Sequence, residues 1–287
     1  MSAIIKKEMR AYFTSVAGYG FLTVLLFLTG LFFSVINIAS LNPYYSGTLN
    51  QSTILFLILI PVLTMRLFAE ESRQKTDQLL YTAPLTIAQI VVGKFAAAML
   101  LFLIGIGVTM LYPVIMSVYG LIPTAETVGA FVGFILIGAC YIAVGIFISS
   151  LTENQIIAAV ATFAVLFLFI VLDALAATMP VSRSSSAVFL ALIAAGISFA
   201  LYRSTKSKLV AIILFVLFAA GGTAAYFMNN LLFDGVITKV MNWFSLLNRL
   251  SNFMAGVLSV SDIVYYVTFA FAFVFLTVNT IEKRRWA

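Results

Sequence analysis

Apolar residues in this chain come in long unbroken blocks, not in the alternating or one-in-three patterns of a water-soluble fold. Blocks of roughly 20 residues are what a helix needs to cross a bilayer, and they recur from end to end. The pattern predicts spans over residues 18–39, 53–69, 87–118, 127–150 and 155–175, two further apolar segments over 187–202 and 209–228, and a last span over 261–281. An outer-membrane barrel would instead show short segments of alternating polarity. The expected fold is therefore all-α: one polytopic membrane domain over residues 1–287 with about eight transmembrane helices.

The intervals between blocks differ in character. Residues 42–50 (NPYYSGTLN) and 119–124 read as short uncharged loops, and 149–154 (SSLTEN) as a tight turn. Residues 203–208 (RSTKSK) are basic. The stretch 229–260 is too mixed for a crossing, so short surface or re-entrant helices are expected there. Gly129 and Gly133 form a GxxxG pair, a spacing that permits close helix approach.

Residues 1–16 predict an amphipathic helix. At 100° per residue, Ile5, Met9, Tyr12, Phe13 and Val16 gather on one side, and Lys6, Lys7, Arg10 and Thr14 on the other. Such a helix lies in the headgroup plane with its basic residues Lys6, Lys7 and Arg10 toward anionic lipid. The apolar block that follows is longer than a signal-peptide core, so it is expected to stay as the first span.

Residues 70–86 (EESRQKTDQLLYTAPLT) are the one long charged run between spans. Alone, such a run is a solvated turn. Its second half is amphipathic and stops at Pro84, which predicts a short helix outside the bilayer. At helical spacing Gln74, Asp77, Gln78 and Tyr81 share one face, and Thr76, Leu79 and Leu80 another.

Composition narrows the chemistry. With 63% hydrophobic and 9% charged residues the chain is no soluble globule. The net charge of +6 would suit nucleic acid, but the cations sit at the edges of spans. Alternating through eight spans from an inner N-terminus puts thirteen of the 16 Lys and Arg on one side, with Arg183, Lys239 and Arg249 on the other. The positive-inside rule makes the first side cytoplasmic. Both termini and the 70–86 run are thus expected in the cytoplasm, in a multi-pass protein of the cell (inner or plasma) membrane. Lys94, near the start of its span, is expected to snorkel to the interface.

The chain has no histidine, and its one cysteine, Cys140, lies in an apolar block. Asp173 and Glu126 fall near span ends, away from the mid-membrane positions of ion-coupled pumps. Gly93–Lys94 is not a phosphate loop, because Ala88 replaces the earlier glycine and Phe95 the Ser/Thr. No catalytic, cofactor or metal site is expected within the chain. Transport work would then need a partner.

Four segments resemble a known family. EESRQKTDQLLYTAPLTIAQIVVGKF is similar to the loop of ABC-2 type exporter permeases, with charged residues, a Leu pair, Thr-x-Pro and GK opening a span. KKEMRAYFTSVAGYGFLTVLLFLTGLFF, SSLTENQIIAAV and FMAGVLSVSDIVYYVTFAFAFVFLTVNTIEKRRW resemble the gliding-motility-type branch, and they come in that branch's order. The resemblance implies an elbow helix over 4–14 and a coupling helix within 71–83. It places Glu70, Glu71, Arg73, Thr76, Asp77, Leu79, Leu80, Tyr81 and Pro84 at the interface with an ATP-binding subunit, itself a dimer that carries ATP and Mg. It further implies re-entrant helices before the last span, and a path between two permease protomers, identical or homologous. Lys75 departs from the family, standing where it usually has glycine, and 187–228 would be a hairpin beyond the usual six spans, expected at the periphery.

The reading is a non-enzymatic exporter subunit driven by a separate ATPase. An ATP-independent channel or secondary carrier is the alternative, and an intramembrane enzyme a third class that the missing histidines disfavour. The 27 phenylalanines suit a lipidic or amphipathic cargo, but they equally suit lipid-facing and packing surface.

Overall fold

The computed structural model describes residues 1–76, 85–178 and 236–286. Those residues form helices and turns, with no strand among them. In order, they are α1 (Ser2–Thr14), α2 (Val16–Phe33), α3 (Tyr45–Ser52), α4 (Phe56–Thr64), α5 (Arg66–Arg73) and α6 (Ile87–Thr109). Then come α7 (Leu111–Tyr119), α8 (Thr124–Leu151), α9 (Gln155–Thr178), α10 (Val236–Phe244), α11 (Leu246–Met254) and α12 (Val260–Trp286).

Six stretches of the described chain are long and apolar enough to cross a membrane: Val16–Ala39, Tyr45–Arg73, Ile87–Tyr119, Thr124–Leu151, Gln155–Leu175 and Val260–Arg284. The two segments that would bring the number to eight, 187–202 and 209–228, lie outside the described residues. The chain divides into two compact units, Met1–Leu168 with Leu246–Ala287, and Phe169–Ser245. Of the second, the described parts are the last turns of α9 and the nine-residue α10.

In the first unit α8 is the central helix, buried along most of its length and packed against α3, α4, α5, α6, α11 and α12. Apolar faces gain little by meeting each other in place of lipid, so close approach and polar links must hold such helices together. α8 supplies the approach through glycine. A Cβ on Gly129 would lie 2.6 Å from the Phe253 carbonyl oxygen, and one on Gly133 would lie 2.6 Å from the Phe253 Cβ. The GxxxG pair is thus the seat of α11. At nine residues each, α10 and α11 span only about 14 Å, as the mixed composition of 229–260 leads one to expect.

One expected loop is helical, and one expected span carries an internal break. The expected loop 42–50 is mostly helix: α3 begins at Tyr45, so the second span starts there and not at Thr53. Its polar side chains turn inward and pair. Thr48 donates to Asn37 Oδ1 at 2.5 Å, and Ser52 donates to the Thr48 carbonyl at 2.7 Å. Asn37 sits in a π-helical turn, Ser34–Ala39, and caps the following chain by donating to the carbonyls of Asn42 and Tyr44. A polar sequence that satisfies itself internally reads like a loop. The expected span 87–118 is one stretch, Ile87–Tyr119, but its helix is interrupted at Met110, between α6 and α7. The cause is Pro113, which has no N–H to give to the Thr109 carbonyl four residues earlier.

Candidate functional site: a buried ionic junction

The segment leading into the charged run is interrupted at Met65, between α4 and α5. Pro61 lies inside α4 and weakens the ladder there. A break leaves the first N–H groups of the next helix and the last carbonyls of the previous one without partners. Two side chains from other helices fill these places. Ser149 of α8 accepts from the N–H groups of Phe68 and Ala69, both at 3.2 Å, and donates to the Met65 carbonyl at 3.1 Å. Tyr12 of α1 donates to the Leu63 carbonyl at 3.0 Å. Burial first, and the nearby Glu8 carboxylate second, push the Tyr12 phenol well above its ordinary value, so it stays a neutral donor.

Below the break, three elements converge on Lys94. Only 1% of this side chain is exposed, although it belongs to a lysine near the end of a span. Its ammonium donates two hydrogen bonds and makes one further ion pair with the oxygens around it. Glu8 Oε1 of α1 lies at 3.0 Å, Glu71 Oε2 of α5 at 2.8 Å, and the Leu67 carbonyl completes the set. The Phe68 ring lies 4.9 Å from the nitrogen. Lys94 therefore does not snorkel. Two carboxylates nearby repay its desolvation better than a reach to the interface would.

Glu71 is bracketed by two lysines, because its other oxygen meets Lys7 at 2.6 Å. Burial works against the charge on Lys7, but Glu71 and then Glu8 outweigh it and hold its ammonium above the ordinary 10.5. Lys7, Glu8, Tyr12, Arg66, Glu71 and Lys94 line a cavity of ≈ 590 Å³ between α1 and α5.

The chain then leaves α5 through a Schellman turn. Thr76 N–H bonds the Glu71 carbonyl at 3.0 Å and Lys75 N–H the Ser72 carbonyl at 3.2 Å, with Lys75 at φ +56. A left-handed residue is where glycine is favoured. The bend forms at Lys75 nonetheless.

The expected site residues fall into three groups. Lys6 and Arg10 are exposed on α1, as is Lys7 beside its partner Glu71. Glu70 accepts from Arg66 and Gln74 along its own helix, Arg73 is exposed, and Thr76 is half-buried in the turn. Glu71 is engaged within the chain. Asp77, Leu79, Leu80, Tyr81 and Pro84 lie outside the described residues. α5 carries the second span into the run as far as Arg73, and the chain turns at Lys75; the greater part of the helix expected within 71–83 lies outside the described residues.

Sequence reasoning missed Glu8 and Ser149, and placed Tyr12 on the apolar face of α1 without its hydrogen bond to Leu63. The buried stripe of α1 is Ile4, Glu8 and Tyr12; it shares Tyr12 with the predicted face of Ile5, Met9, Tyr12, Phe13 and Val16 but is turned toward Ile4 and Glu8. A lone acid at i+4 between two large apolar residues was the available signal. Among the described residues, no three His, Cys, Asp or Glu gather where a metal ion could be held.

A family model described as ABC-2 family transporter protein matches residues 37–193, more than half of the chain. The chain belongs to that family. It is a multi-pass membrane protein and an ABC transporter permease, of a kind that is typically non-enzymatic and works with an ATP-binding subunit. The ABC-2 match takes in Glu71, Lys94 and Ser149 but starts after Glu8 and Tyr12, so the α1 side of the junction is legible only from the geometry. No curated protein and no solved structure matches the chain.

Proposed function

We propose that this chain is the membrane subunit of an ATP-driven exporter of the gliding-motility type. A dimeric ATP-binding subunit docks on the charged run around residues 70–86 in the cytoplasm and carries the ATP and Mg. Residues 77–84, with the exposed Arg73, form its contact, while Lys6 and Arg10 of the elbow α1 rest on anionic headgroups. Closure of the ATPase dimer moves the run, and the spans respond by opening a path between two permease protomers alternately to each side. The observation that carries this reading is the tie of α5 to both α1 and α6 through Lys94. A loop pushed by a partner can act on the spans only if its root is fixed to them.

Affinity purification of this permease from its native membrane tests the proposal. An ATP-binding subunit is expected to co-purify and hydrolyse ATP. Purification without one would leave the channel or carrier reading. Orientation is checked in a Cys140→Ala background with a membrane-impermeant thiol reagent on intact cells. Leu121→Cys, in the exposed turn after α7, should label from outside and Ser207→Cys should not; the reverse result would overturn the orientation.

A further inference from the structure

The junction contains more ionic structure than packing alone requires. Lys94, Glu8 and Glu71 come from three elements, and Lys94 is separated from Glu8 by 86 positions and from its Leu67 acceptor by 27. A buried ion pair is weak evidence of stability, since apolar residues of similar volume often serve as well. What the ionic arrangement adds is direction. An apolar contact lets two helices slide past each other at small cost, whereas two hydrogen bonds and an ion pair from one buried nitrogen to oxygens on two other helices favour a single register.

The residue before Lys94 points the same way. A Cβ on Gly93 would lie 3.1 Å from Ile4 Cγ2 and 3.2 Å from Ile4 Cβ, so α1 rests directly on the backbone of α6 at this point. The Gly93–Lys94 pair, which is no phosphate loop, thus seats α1 in two ways. The glycine admits Ile4, and the lysine holds Glu8 one helical turn further on.

We propose that Lys94 is a positioning residue that makes α1, α5 and the start of α6 one rigid joint, so that the elbow, the root of the charged run and the span move together through the transport cycle. The inference rests on the reading that an ATP-binding subunit acts on the charged run. It adds that α1 is part of the transmission and not merely a lipid anchor. The joint would pass on a pull as well as a push, because its contacts are bonds and not abutting surfaces.

The Ile4–Gly93 contact supplies the test. The Cβ separation there is close to the roughly 3.5–4.5 Å that a disulfide spans, and Ile4→Cys removes the group that a side chain at position 93 would meet. The double variant Ile4→Cys/Gly93→Cys, in a Cys140→Ala background, is purified in complex with its ATP-binding subunit and oxidised. If α1 and α6 move as one body, ATP hydrolysis by the oxidised complex stays within about twofold of the reduced complex. Loss of hydrolysis on oxidation, restored by reduction, would show that the two helices must separate and would overturn the proposal.

Lys94→Met is the second arm. It should retain the ATP-binding subunit while its hydrolysis rate departs from wild type by about fivefold or more, in either direction, and the disulfide should bring the rate back to within about twofold. A Lys94→Met complex that hydrolyses ATP as wild type does, or that the disulfide fails to correct, would also overturn it. If Lys94→Met does not fold, the first arm decides alone. Absence of any ATP-binding subunit from the wild-type preparation is a different result, and it strikes at the exporter reading itself.

Discussion

The phenol of Tyr45 donates to the Thr109 carbonyl at 3.4 Å, the carbonyl that Pro113 leaves without its helical partner. A residue from a nominal loop thereby closes a gap in a span 64 positions away. Tyr45 is fully buried and packs against the rings of Phe33, Tyr112 and Phe131. Tyr45→Phe should lose about 1 kcal/mol, the net value of one hydrogen bond. Tyr45→Ala should lose about 3–5 kcal/mol, as large aromatic truncations do. Thermal unfolding of the detergent-purified permease checks both. Equal, small shifts for the two variants would mean that the Tyr45 end of the second span is a loop after all.

Gly133 should tolerate no side chain on α8 without cost. Its missing Cβ is replaced by Phe253 Cβ at 2.6 Å and Leu250 Cδ1 at 2.8 Å, so any side chain must displace α11. Gly133→Ala is expected to cost about 1–3 kcal/mol, the usual range for overpacking a fitted contact. α11 is also tied to α12, since Arg249 and Asn252 meet the two Asp262 oxygens at 2.7 and 2.9 Å. Displacement should therefore be resisted, and appear as a lower unfolding temperature. Wild-type stability in Gly133→Ala would contradict the close approach of the two helices.

Lys75 offers a change in the opposite direction. An L-residue in the left-handed region costs roughly 1–2 kcal/mol, and glycine removes that cost without disturbing the bonds of Thr76 and Lys75 to α5. Lys75→Gly should stabilise the turn by about 1 kcal/mol, partly offset by the greater freedom of glycine in the unfolded chain. Slower cleavage of the native permease by a protease specific for acidic residues, read at Glu70 and Glu71, would report it. Faster cleavage would show that the Lys75 side chain itself matters there.

How much of this could be read from the sequence follows from the range of each interaction. Six of the expected apolar blocks appear, among the described residues, as helical stretches long enough to cross a membrane, because span length is a local property. The short α11 was legible as well, from the polar residues scattered among its apolar ones. α3 was not, since YSGTLNQS has the composition of a loop and its burial depends on Asn37 and three distant rings. The junction was half visible. The charged run and the Gly-Lys pair stood out, but no pattern along one helix announces that Glu8 will meet Lys94 86 residues later. Ser149 was invisible for the same reason, because a helix capped from another helix carries no capping signal of its own.

The Leu79–Leu80 pair carries the prediction on which the exporter mechanism most depends. These residues follow the Schellman turn at Lys75, within the charged run that the proposed ATP-binding subunit contacts. An apolar pair in a helix-in-groove contact would supply most of its binding energy. Truncating a fully buried leucine costs about 2–5 kcal/mol, and about 1.4 kcal/mol is already tenfold in affinity. Leu79→Ala with Leu80→Ala should therefore lower retention of the ATP-binding subunit at least tenfold, while the permease still inserts and unfolds at its normal temperature. The control must avoid the 42–50 segment, because Tyr45 is part of the core. Leu121→Ala suits better, as Leu121 is 98% exposed in the turn after α7. The measurement is the ratio of ATP-binding subunit to permease after purification at matched salt. Unchanged retention in the double leucine variant would move the docking site off residues 77–84, and the Lys94 joint would then lack the input proposed for it.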